Sequence, residues 1–75
     1  MSSHQKSLSA RERFARNLHH WRLARGLSQE ELSARAELSQ TFLSQIENGS
    51  RNVSLDKIEK LAEVLEIDVM DLLKA

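Results

Sequence analysis

Residues 28–46 read SQEELSARAELSQTFLSQI, and the spacing of their serines and leucines decides the fold. Ser28 and Glu31 have the capping-box separation: the serine hydroxyl accepts the N–H three residues on, and the glutamate reaches back to the serine N–H. A helix is predicted over residues 29–36, with Leu32, Ser33 and Ala36 turned inward. Glu37 and Leu38 make a turn. Ser39 then caps another helix over residues 40–48, and Asn48-Gly49 stops it. Leu43 and Ile46 face inward on that helix, with Phe42 beside them. Two helices joined by so short a turn approach closely only where a side chain is small, and Ser33 supplies that position.

The outward face of the later helix is Gln40, Thr41, Ser44 and Gln45. A solvated helix ordinarily carries Lys and Glu there, whereas these four are polar and uncharged. Such a face suits DNA base edges: a glutamine amide both donates and accepts, and threonine offers a methyl group to thymine. An ordinary polar surface is the plain alternative. Gln29 stands at the positive N-terminal end of its helix, where it would extend an anion site to a backbone phosphate. Glu30 and Glu31 oppose an anion there unless they point away. Asn48 and Arg51 are further phosphate candidates, against an alternative of routine capping and solvation.

Working outward, Ser9 and Glu12 form another capping box ahead of a helix over residues 10–25. Phe14, Leu18 and Trp21 give it one apolar stripe, and Gly26 ends it. Downstream, Ser54 caps a helix over residues 55–65, with Asp56 in its first turn and Leu55, Ile58, Leu61, Ala62 and Leu65 as its stripe. Asp68 caps a last helix over residues 69–74. The fold class is therefore all-α: five helices in one domain over residues 8–75. Each is too short to be stable alone in water. Residues 1–7 lack periodicity and are expected to be a flexible N-terminal arm.

Composition narrows the function. The 75 residues contain no cysteine and no proline, which excludes disulfides and thiolate metal sites. No apolar run approaches the ~18 residues of a membrane span, and no secretory signal opens the chain; a cytoplasmic protein is expected. Net charge is zero, but unevenly spread: residues 1–26 hold six basic side chains against one acidic, and residues 27–75 hold five basic against ten acidic. That leaves a basic N-terminal third to face phosphate and an acidic remainder to face away. His4 and the pair His19-His20 have no partner at i+4, so no metal is expected. Catalysis needs a nucleophile or acid–base pair in a concave site, and neither is evident; no enzyme activity and no cofactor are expected.

The stretch GLSQEELSARAELSQTFLSQIENG resembles the helix-turn-helix of the Cro and phage-repressor type, the xenobiotic-response-element-like family. The resemblance runs from about residue 14 to residue 73. It implies that the third helix of a five-helix domain enters the major groove of double-stranded DNA while the second lies across the backbone. By position, Gln40, Thr41, Ser44 and Gln45 match the family's base-contacting residues. Gln29, Asn48 and Arg51 match its phosphate contacts, and Ser39 is counted with them. Arg22 and Glu47 match a pair that forms a structural salt bridge between the first helix and the end of the third. Glu37 stands where many members have glycine, at a turn position that tends toward positive φ, and Val53 stands where many have proline. The short ending resembles the small stand-alone members, controller proteins of restriction–modification systems among them.

The last helix carries Val69, Met70, Leu72 and Leu73, more apolar surface than one small core can cover. Either they cover the bottom of the first helix, or some of them form a homodimer face, for which Val69, Met70 and Leu73 are the expected residues. The resulting expectation is a homodimeric, sequence-specific transcription regulator, repressor or activator or both, on a palindromic operator. The alternative is an antitoxin-like or other protein-interaction subunit that uses the C-terminal apolar patch.

Overall fold

The computed structural model describes residues 8–75; the expected N-terminal arm, residues 1–7, and with it His4, lies outside the described residues. The helices are α1 (Ala10–Ala24), α2 (Gln29–Arg35), α3 (Gln40–Glu47), α4 (Leu55–Leu65) and α5 (Val69–Leu73), with no strand among the described residues. The expected N-caps form: Ser9, Ser28, Ser39, Ser54 and Asp68 each accept a backbone N–H of the following turn, and Ser9, Ser28 and Asp68 complete capping boxes. The Glu31 carboxyl is held below its ordinary pKa, first by the Ser28 backbone N–H and then by its hydroxyl.

The same closure ends four helices. After α2, the Glu37 N–H donates to Ala34 O and the Leu38 N–H to Ser33 O at 2.8 Å, the paired bonds of a Schellman turn. Equivalent pairs follow α1 at Gly26-Leu27, α3 at Gly49-Ser50 and α4 at Glu66-Ile67. Each needs one residue in the left-handed region, and φ is 70° at Gly26, 80° at Gly49, 60° at Glu37 and 59° at Glu66. Glycine adopts this without a Cβ clash; glutamate does so at a cost. The strain expected at Glu37 is present, and Glu66 repeats it.

Leu18, Leu32, Leu43, Ile46, Leu61, Leu65 and Leu72 are fully buried, and Phe14, Leu27, Ala36, Ile58 and Ala62 join them in one core. Burying such a side chain is worth ~1.5–3 kcal/mol, which is why helices this short persist. Trp21 and Val53 pack on the core's rim. Ser33 is buried, and its hydroxyl donates to Glu30 O at 3.0 Å. Leu55, expected in the α4 stripe, is 73% exposed; it opens the helix, and that first turn projects past the core, which begins at Ile58.

α5 packs chiefly against α1, and polar side chains of α1 secure the junction. Arg13 donates to Leu73 O, Asn17 to Leu72 O and Lys74 O, and Arg25 to Leu65 O at 2.7 Å. Cations at carbonyl-rich helix ends are favourable. Two cations of the basic third expected to face phosphate, Arg13 and Arg25, thus close α5 and α4.

Glu37→Gly should raise stability by ~1 kcal/mol by relieving the left-handed strain, less the added backbone entropy of glycine in the unfolded chain. Urea unfolding should report a higher midpoint at unchanged slope. Gly49→Ala should shift the midpoint the other way.

Candidate nucleic-acid interface

α3 is oriented by its apolar side. Leu43 and Ile46 are fully buried, which fixes the roll of the helix and turns Gln40, Thr41, Ser44 and Gln45 outward. Gln40 and Thr41 are exposed, and Ser44 and Gln45 half-buried. With Gln29 of α2 these four line a shallow polar concavity. The residues expected to read bases therefore share one surface, and the residue expected at phosphate stands beside it.

Glu47, the last residue of α3, ties that helix to its neighbours. Its carboxylate receives Arg22 Nε on Oε2 at 2.6 Å, with Arg22 Nη2 and His19 Nδ1 both 3.1 Å from Oε1. From α2, Gln29 Nε2 donates to Oε1 at 3.2 Å. The Glu47 side chain is 5% exposed and that of Arg22 9%. Arg22 also donates to Leu27 O at 2.9 Å, inside the turn between α1 and α2. Burial pushes the Glu47 carboxyl up, but the hydrogen bonds from Arg22, His19 and Gln29, with the Arg22 charge, outweigh it and hold the pKa below the ordinary value. The expected Arg22–Glu47 pair is present as part of a larger cluster. Spacing along the chain gave no sign of His19, because its partner is 28 residues away.

The remaining candidates are engaged more than expected. The Gln29 amide is shared with Glu47, and the Glu31 carboxylate accepts the Ser28 N–H at 2.8 Å, so the helix's own carboxylate occupies the amide end of α2. Ser39 accepts the Phe42 N–H and keeps its hydroxyl hydrogen as a donor. Asn48 Oδ1 accepts the Ser50 N–H at 2.9 Å, and the exposed Asn48 keeps its NH2 group as a donor. Arg51 lies 5.2 Å from the Phe42 ring centroid and donates Nη1 to Gln45 Oε1 at 2.9 Å. No group of His, Cys, Asp and Glu suited to a metal ion occurs among the described residues.

Of the three residues expected at a dimer face, Met70 is 68% exposed, while Val69 and Leu73 are half-covered by the core. The expected patch is narrower than its sequence suggested, because α1 covers much of α5. Leu72, weighed with them, is fully buried.

A family model described as helix-turn-helix matches residues 18–72. The chain belongs to the helix-turn-helix family. Control protein C.BamHI of Bacillus amyloliquefaciens is 49% identical to it over 47 residues, 63% of this chain and 58% of that protein. The chain thus spans about three-fifths of the length of the curated control proteins it matches. Among solved helix-turn-helix structures, the restriction-modification controller protein C.AhdI from Aeromonas hydrophila superposes with a TM-score of 0.80 at 40% identity, covering 83% of this chain and 94% of that one. SinR, a master regulator for biofilm formation crystallised in complex with DNA, gives a TM-score of 0.78 at 31% identity, covering 81% of this chain and 98% of that one.

Because the folded pKa of Glu47 lies below the ordinary 4.5, its contribution to stability is complete above that pH and is lost as pH falls through the folded value. Glu47→Gln should be less stable than wild type at pH 7 and lose less on acidification from pH 5 to pH 3, as followed by urea melts. Arg22→Ala, which leaves the carboxylate buried and under-paired, should cost ~3–5 kcal/mol at neutral pH, enough to unfold much of so small a domain.

Proposed function

We propose that this chain is a sequence-specific DNA-binding transcription regulator of the controller type, repressor or activator or both. In this reading a homodimer binds a palindromic operator with α3 of each copy in the major groove. One observation carries it: an uncharged polar face lies on a helix whose roll is fixed by buried Leu43 and Ile46 and whose end is clamped through Glu47. Gln40, Thr41, Ser44 and Gln45 read base edges, and Gln29, Ser39, Asn48 and Arg51 hold the backbone. That relatives are control proteins, and that SinR has been crystallised in complex with DNA, supports the same role. Such a regulator works in the cytoplasm, beside its DNA.

A two-fold dimer sets its recognition helices about 34 Å apart on one DNA face. Met70, with the rims of Val69 and Leu73, supplies the self-complementary apolar contact. With zero net charge, non-specific attraction to DNA is weak, and specificity rests on the fit of α3.

Gln40→Ala should weaken operator binding by ~1–3 kcal/mol and leave non-specific binding nearly unchanged; equal losses on both DNAs would remove Gln40 from the base-reading set. Met70→Glu should convert a dimer at micromolar concentration into a monomer in sedimentation. A wild-type chain that sediments as a monomer, and dimerises only with a foreign partner, would favour the interaction-subunit alternative.

A further inference from the structure

The Gln45 side chain is chemically polarised by Arg51, and that narrows which base it reads. A guanidinium has five N–H donors and no acceptor, so the contact of Arg51 Nη1 with Gln45 at 2.9 Å requires the amide to present Oε1 to Arg51. The arginine is itself held. Its guanidinium lies 5.2 Å from the Phe42 ring centroid, and Phe42 is half-buried against the core. The loop carrying Arg51 is fastened to the same residue, since Ser50 N and Ser50 Oγ both donate to the Gln45 backbone carbonyl, at 3.0 and 3.2 Å. Gln45 therefore enters the polar concavity with its carbonyl taken and its NH2 group available.

A free glutamine amide is matched to adenine, donating to N7 while accepting from N6. With its oxygen on a guanidinium, the amide loses that acceptor. The remaining lone pair of the oxygen lies next to a full positive charge, which disfavours an approaching N6–H donor. The two N–H groups still donate. Guanine, with N7 and O6 both accepting, satisfies them best; thymine offers O4 alone. We propose that Arg51 is a positioning residue that makes Gln45 a donor-only reader, selecting guanine over adenine at the base pair Gln45 faces. This rests on the DNA-reading function above and specifies the polarity of one of its contacts.

The test is selection of bound duplexes from a random pool by the wild-type chain, Gln45→Ala and Arg51→Met. Gln45→Ala locates the base pair in question as the position whose preference it erases. Methionine retains an apolar contact with the Phe42 ring and removes the donor, and Arg51 is exposed, so the fold stays intact. At the located position wild type should select guanine, with thymine second. Arg51→Met should raise adenine relative to guanine by roughly tenfold, within the range that one bidentate base contact spans. A wild-type preference for adenine, an unchanged preference in Arg51→Met, or no position altered by Gln45→Ala would overturn the donor-only assignment and leave DNA reading standing. A wild-type chain that enriches no sequence would overturn DNA reading itself, and the assignment with it.

Discussion

The buried carboxylate of Glu47 is the interaction on which the arrangement of the helices depends. Apolar packing is non-directional: Leu43 and Ile46 fix the roll of α3 but tolerate small slides along its axis. Hydrogen bonds to Glu47 from Arg22 and His19 of α1 and Gln29 of α2 remove that freedom. Both ends of the reading surface are thereby referred to one point. Gln29 sits at the edge of the concavity that α3 lines, so the same carboxylate that fixes the helix also fixes the amide beside it. A buried charge of this kind is weak evidence for added stability, because desolvation offsets much of the attraction. Its consequence here is orientation.

Placement matters more because charge is scarce. The cations of α1 look from the sequence like a surface for phosphate, yet Arg22 is buried on Glu47 and Arg13 and Arg25 bond the carbonyl ends of α5 and α4. Arg51, in the loop after α3, is engaged with Gln45 and Phe42. A protein with zero net charge and these four arginines so engaged gains little from diffuse attraction. Its affinity for DNA comes instead from a few contacts made at the right distance.

Much of this was legible in the chain. Caps are local, so Ser9, Ser28, Ser39, Ser54 and Asp68 announced the helix starts, and the outward set on α3 followed from the inward one by periodicity. The left-handed Glu37 was implied by the family resemblance, in which many members have glycine at that position. Glu66 was not, since no motif marked that closure, although it obeys the same geometry. Periodicity placed Leu55 inward because it reports which face a residue occupies and not how far the core extends along the helix. The partners of His19, Arg13 and Arg25 lie 28, 60 and 40 residues away, and no spacing rule reaches that far. The Arg51–Gln45 contact spans only six residues, but it depends on the path of a loop whose sequence departs from the common pattern.

The most direct measurement is the operator affinity of Glu47→Gln under conditions where dichroism shows the variant as fully folded as wild type. Glutamine preserves the shape of the side chain and removes its charge. If the carboxylate sets the orientation of α3, specific affinity should fall by about tenfold or more, the equivalent of ~1.4 kcal/mol, while non-specific affinity is nearly unchanged. A folded Glu47→Gln that binds its operator as tightly as wild type would contradict the central role given to this residue.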